Sequence, residues 1–177
     1  MFTISAKQRE KKEKGKMLRK KGFLPAVLYG PGIDNLLIKV RDKEFVRVFD
    51  EAGESSLIRL EIEDKKEPFK VLIHEVQRDF LSGKPVHVDF YQPILTQEVE
   101  ATVPLVFIGE APAEKNLGGI LVKEIQEVEV RALPENLPRE IKVNVESLAS
   151  FDDEIKIKDL VVSPGVKIQK EADEIVA

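Results

Sequence analysis

Short apolar runs that alternate with polar residues, each soon closed by a turn signal, recur along most of this chain. Phe2, Ile4 and Ala6 alternate with Thr3, Ser5 and Lys7, and Ile58, Leu60 and Ile62 alternate with Arg59, Glu61 and Glu63. Val86, Val88 and Phe90 take turns with His87, Asp89 and Tyr91, and Val99, Ala101, Val103, Leu105 and Phe107 keep the same period. A period of two marks strands with one buried face. Gly30-Pro31-Gly32, Glu63-Asp64-Lys65-Lys66, Ser82-Gly83-Lys84-Pro85 and Pro164-Gly165 supply the turns between runs. Strands this closely spaced favour a small barrel or a sandwich, so a mainly β protein is expected.

Other elements follow from the same reading. Apolar strands are expected at 23–29, 36–40 and 69–77. Phe45, Val48, Phe49 and Ala52 stand at i, i+3, i+4 and i+7, which predicts a helix with Asp42 as N-cap and Gly53 at its stop. Residues 16–21 read as one or two helical turns on the surface. The expected core of the first half is Val27, Ile58, Leu60, Val71, Ile73, Val88 and Phe90. In the second half, strands are expected at 99–107, 120–123, 128–132, 141–145, 155–157 and 166–168. Pro104 should mark an edge or bulge, and 111–119 should be a loop. That half reads as an antiparallel, sandwich-like domain.

Charge is unevenly distributed. The first 25 residues hold nine Lys or Arg against two Glu, although the whole chain sums to -4. Residues 1–91 carry a net +4 and residues 92–177 a net -8. Opposite signs predict two domains, 1–91 and 92–177, meeting near Gln92-Pro93 and serving different partners. A dense basic block suits phosphate, since each neutralised phosphate releases counterions. Cysteine is absent, which excludes disulfides, zinc–thiolate sites and cysteine nucleophiles. No apolar run reaches a membrane span, and the N-terminus lacks the apolar stretch of a secretory signal. A cytoplasmic protein with no membrane partner is expected.

Three constellations carry possible chemistry. Lys7, Arg9, Lys11, Lys12, Lys14, Lys16, Arg19, Lys20 and Lys21 would follow a phosphate backbone, or form a solvated tail. His87, Asp89 and Tyr91 share one strand face, offering donors, an acceptor and a stacking ring. In a basic setting a carboxylate can accept from a guanine amino group. The alternatives are a surface histidine, or an acid–base pair or metal site that includes His74. Strict alternation puts His74 on the strand face opposite Glu75 and Gln77. No Ser, Cys or third His completes a catalytic set. Tyr29 beside Gly30, and Gln77-Arg78 at a strand end, are further polar candidates. Gly-rich phosphate loops are missing.

Taken in order, these segments resemble one family. Arg9, Lys14-Gly15-Lys16, Leu18-Arg19, Gly22 and Pro25-Ala26-Val27-Leu28-Tyr29-Gly30 are similar to the N-terminal signature of the bacterial ribosomal protein family called L twenty-five. Val76-Gln77, Gly83 and His87-Val88-Asp89-Phe90 are similar to its second signature. Residues 92–177 resemble the extra domain of the long form, the Ctc general stress protein type, at Gly109-Glu110-Ala111-Pro112, Leu133-Pro134 and Leu137-Pro138. The resemblance implies a 5S rRNA-binding constituent of the large ribosomal subunit, gripping the loop E region through the minor groove with a small β-barrel. It implies Arg9, Lys14, Arg19, Tyr29, Gln77, His87 and Asp89 as contacts, with Lys16, Lys20 and Arg78 assisting at phosphates. Arg78 and Phe80 depart from the family pattern, and Lys20 and Lys21 stand where relatives carry more Arg. No enzyme activity, cofactor or metal is expected, and the chain should be a monomer off the ribosome. Residues 92–177 would meet neighbouring ribosomal proteins. The rival readings are a stress protein that visits the ribosome transiently and a His/Asp acid–base enzyme.

Overall fold

The computed structural model describes every residue except Met1, Lys11, Asp64 and Phe151, and the backbone alone of Asn116 and Leu117. Lys11 of the basic segment and Asp64 of the expected turn therefore lie outside the described residues. The chain forms two compact units, Met1–Gln97 and Glu98–Ala177. Residues 92–97 carry no charge, so the net +4 and -8 fall on the two units. These residues pack with the first unit: the Gln92 N–H donates to the Tyr29 carbonyl at 2.8 Å, and Pro93 is buried.

The first unit is a closed barrel of β1 (Phe2–Gln8), β2 (Phe23–Gly30), β3 (Ile33–Arg41), β4 (Ile58–Ile62), β5 (Phe69–Arg78) and β6 (Pro85–Tyr91). Their order around the wall is β1-β3-β2-β6-β5-β4, and β1 pairs in parallel with β4 to close it. Closure leaves no strand edge for stray pairing. Alternation sends Ile4, Ala6, Leu24, Ala26, Leu28, Ile38, Val40, Leu60, Ile73, Val88 and Phe90 inward, all buried. Helix α2 (Asp42–Ala52) adds Phe45, Val48 and Ala52 to that core. Phe45 lies 5.6 Å from Phe49 and meets Phe90 edge-on at 6.4 Å. Each such side chain contributes about 1.5–3 kcal/mol by leaving water.

Several details differ from expectation. Val27 is only half-buried, while Ala26 and Leu28 fill the interior. The run in β2 is apolar on both faces, so period alone cannot choose; pairing of Ala26 with Ile38 and Val88 sets the register. Helix α1 (Gly15–Lys20) lies against β2 and covers its outer start, which explains the buried Pro25. Leu18 of α1 is buried, so this segment is more than a surface turn. Helix α2 starts with Asp42 itself and is capped by Arg41 without a side-chain bond. The Asp42 N–H goes to the Gly22 carbonyl at 3.0 Å, and Asp42 and Glu44 complement the helix dipole.

The second unit is one four-stranded sheet, ordered β10 (Lys167–Ile168), β8 (Glu127–Ala132), β7 (Val99–Ile108), β9 (Ile141–Asn144). Strand β7 runs antiparallel to β8 up to Pro104, then parallel to β9 from Leu105. Pro104, lacking an N–H, stands where the pairing changes hands. The sheet buries Val103, Val128, Val130, Ala132, Ile141 and Val143 under a cover of loop residues that includes Leu148, Leu160, Val166 and Val176. The mainly β class holds in both units. In place of the expected loop at 111–119 there is a short helix, α3 (Pro112–Leu117), started by Pro112 and ended by Gly118 at φ 69°. Residues 120–123 form no strand, and Ile120 and Val122 are exposed. Residues 155–157 make a single bridge, Lys156 to Ile175, before a 3-10 turn at Ile157–Asp159.

Candidate nucleic-acid interface

Strand β6 lies between β2, parallel to it, and β5, antiparallel to it. With Val88 and Phe90 in the core, His87, Asp89 and Tyr91 face outward, each half-buried. Register then builds a platform across three strands. His87 pairs with Gln77, Asp89 with Val27 and Glu75, and Tyr91 with Tyr29 and Leu72. Rows on such a face repeat about every 6.6 Å, and neighbouring strands stand about 4.8 Å apart.

The His87 Nδ1 is 2.8 Å from the Asp89 Oδ1, but the ring is not oriented for a hydrogen bond along that line. The contact is therefore one of proximity and not of a formed hydrogen bond, and both side chains remain about a quarter exposed. A β-bulge falls between Ile73 and Glu75. The extra residue is His74, and both it and Glu75 are exposed. This corrects the expectation that His74 lies opposite Glu75: the bulge breaks the alternation. His74 joins Tyr29 and Tyr91 in a ring cluster, with centroids 6.3 Å, 6.0 Å and 5.6 Å apart. Burial pushes the Tyr29 hydroxyl above its ordinary pKa, and the Asp89 and Glu75 charges push the same way. Tyr29 thus remains a hydrogen-bond donor at neutral pH.

The basic arm is pinned beside this platform. The Arg9 N–H donates to the Leu37 carbonyl at 3.0 Å, and its Nη1 reaches the Glu13 carbonyl at 3.5 Å. Its Nε is buried without a hydrogen-bond partner among the described residues. Glu13, an acid within the basic run, receives Lys39 Nζ at 2.7 and 3.0 Å. That bond holds the Glu13 carboxyl below the usual carboxylate range. The arm is thereby tied to β3. It continues into α1 over β2, and Arg19 Nη1 donates to the Val86 carbonyl of β6 at 3.0 Å. The wall order β3-β2-β6 makes this one path, from the β1 end to the strand that carries His87 and Asp89. Lys14, Lys16 and Lys20 are exposed along it.

The structure therefore brings Arg9, Lys14, Lys16, Arg19, Lys20, Tyr29, Gln77, His87 and Asp89 to one connected region. Arg78 is turned elsewhere: its guanidinium lies 5.3 Å over the Phe49 ring of α2 and donates to the Gly83 carbonyl at 3.2 Å. Tyr91 continues the His87–Asp89 period and joins the platform as the alternation implies. The places of Glu75 and His74 on this face are not legible in the sequence, because the bulge has no simple sequence mark. Among the described residues, no group of three or more His, Asp or Glu is placed to hold a metal. No helix among them is long and apolar enough to cross a membrane.

Residues 4–90 match the family described as Ribosomal L25p, and residues 98–177 match the Ribosomal protein TL5 C-terminal domain. A relative from Roseiflexus castenholzii is 37% identical over 164 residues, covering 93% of this chain and 75% of the relative. One from Moorella thermoacetica is 35% identical over 168 residues, 94% of this chain and 80% of its own length. A third, from Geobacillus thermodenitrificans, is 34% identical over 178 residues, covering 99% and 83%. All three are named large ribosomal subunit protein bL25. The family consists of structural ribosomal constituents and not of enzymes. With its barrel and its acidic sheet unit each matched in turn, and with relatives aligned over nearly its whole length, this chain belongs to the Ribosomal L25p family.

Proposed function

We propose that the chain is a structural constituent of the large ribosomal subunit in the cytoplasm, and that its barrel binds 5S rRNA at the irregular loop E region. One observation carries the reading: Arg19 joins the cationic arm to β6 through the Val86 carbonyl, making the arm and the His87–Asp89 face contiguous. A surface of that kind can hold phosphates with its Lys and Arg and address ribose and base edges with its polar strand face. Regular A-form RNA hides its major groove, so discrimination falls to an irregular minor groove whose edges are exposed. The carboxylate of Asp89 suits the guanine amino group, the single donor on the base edges there. Arg9, Arg19, Lys14, Lys16 and Lys20 serve the backbone, while Tyr29, Gln77, His87 and Asp89 face the groove. The acidic second unit, with its net -8, is assigned to protein neighbours rather than to RNA.

The test is a titration of the full chain against isolated 5S rRNA with transfer RNA as competitor, at several salt concentrations. The reading requires a complex that survives excess transfer RNA. Displacement by an equal mass of transfer RNA would contradict it.

A further inference from the structure

Two large apolar side chains project from the turn between β5 and β6: Phe80 is 98% exposed and Leu81 93%. Their exposure is built into the fold. The Asp79 carboxylate accepts from the Ser82 N–H at 2.8 Å and from its hydroxyl at 2.7 Å. The Asp79 N–H donates to the Lys84 carbonyl at 2.8 Å, and the Gly83 N–H to the Asp79 carbonyl at 2.8 Å. Arg78 closes the turn from outside by its bond to the Gly83 carbonyl. The Ser82 hydroxyl, with the backbone N–H groups of Ser82 and Leu81, holds the Asp79 carboxyl below its ordinary pKa. That carboxylate is therefore engaged within the turn and stays ionised. Phe80 and Leu81 are two of the three residues this turn encloses, and they are almost fully exposed.

The position of this tip points to its occupant. It caps the hairpin whose outward face carries Gln77 and His87, and Val86, the acceptor of Arg19, lies just beyond it. The Arg19 charge is felt at Asp79. Exposed Lys84 flanks the turn on its other side. A rigid aromatic ring bordered by cations and continuous with a polar strand face is the arrangement that stacks on nucleobases, with little side-chain entropy to lose. An apolar protein pocket would not need the cationic border.

Resting on the RNA-binding reading above, we infer that Phe80 is a stacking contact that receives an unpaired or splayed base beside the groove addressed by His87 and Asp89. The role requires no charge, so it adds to binding without adding to its salt dependence.

The experiment titrates 5S rRNA with the full chain and with Phe80→Tyr, Phe80→Leu and Phe80→Ala at fixed salt, and repeats the series at two higher salt concentrations. Thermal unfolding of each variant should match the parent, because the ring touches no core residue. Stacking predicts that Tyr keeps the affinity while Leu and Ala both lose about 5- to 150-fold, with an unchanged salt slope. Affinity that Leu preserves and Ala loses would overturn the inference in favour of simple apolar packing, as in a protein pocket. Unaltered affinity in Phe80→Ala would overturn it outright. If the parent chain itself shows no preference for 5S rRNA, the underlying reading has failed and this contact falls with it. That result is visible before any variant is compared.

Discussion

Removing His87 and Asp89 singly and together probes whether they read RNA as one unit. Their N···O separation is 2.8 Å, and their side chains are 24% and 26% exposed. A pair so placed stands between exposed ion pairs, worth about 0.2–1 kcal/mol, and fully buried ones, whose disruption costs about 3–5 kcal/mol. A coupling near 1 kcal/mol is therefore expected between them. Each single replacement by Ala should cost about 1–3 kcal/mol on 5S rRNA, roughly 5- to 150-fold in affinity. The double replacement should cost about 1 kcal/mol less than the two singles combined, because what the two side chains contribute jointly is then lost once rather than counted twice. Filter binding or calorimetry at constant salt reads this directly, with a regular RNA duplex of equal length as reference. Losses that add within about 0.5 kcal/mol would refute the idea of a joined pair. Equal losses on the regular duplex would refute base reading altogether.

Three further outcomes follow from the geometry. Lys14→Ala should flatten the slope of log affinity against log salt by about one unit while leaving selectivity over transfer RNA unchanged; an unaltered slope removes Lys14 from the phosphate contacts. Because burial raises the Tyr29 hydroxyl pKa above its unfolded value, the folded state keeps that proton longer. Stability should therefore hold up to about pH 10 and fall as pH rises beyond it, and Tyr29→Phe should remove part of that alkaline loss in a denaturation series. A Cβ at Gly30 would sit 2.3 Å from the Gln92 carbonyl oxygen, backbone that cannot step aside. Gly30→Ala should destabilise the first unit by about 1–3 kcal/mol or more, and urea unfolding at the parent midpoint would contradict that close approach.

Much of the barrel could be read from the chain because alternation with polar neighbours is unambiguous in β1, β4 and β6. Ile4, Leu60 and Phe90 have one face to choose, and they take it. Strand β2 offers no such contrast, and its sequence is equally compatible with Val27 inside, whereas pairing with β3 and β6 puts it out. The bulge at His74 is set by the partner strand, and local pattern carries no trace of it. In the second unit the cover over the sheet comes from loop residues such as Leu148 and Leu160, which have no period to detect. The site shows the same division. His87, Asp89 and Tyr91 were legible as one face of a strand. The docking of the arm was not, because it depends on Glu13 meeting Lys39, 26 residues away, and on Arg19 meeting Val86, 67 residues away.

The contiguity of arm and strand face is best tested by hydrogen exchange on the full chain with and without 5S rRNA. Binding should slow exchange together in the arm around Arg9, Lys14 and Arg19 and in the β5–β6 hairpin around Gln77 and His87, leaving β7 to β10 unchanged. Protection that appears only in the arm, or only in the second unit, would contradict a single RNA-binding surface.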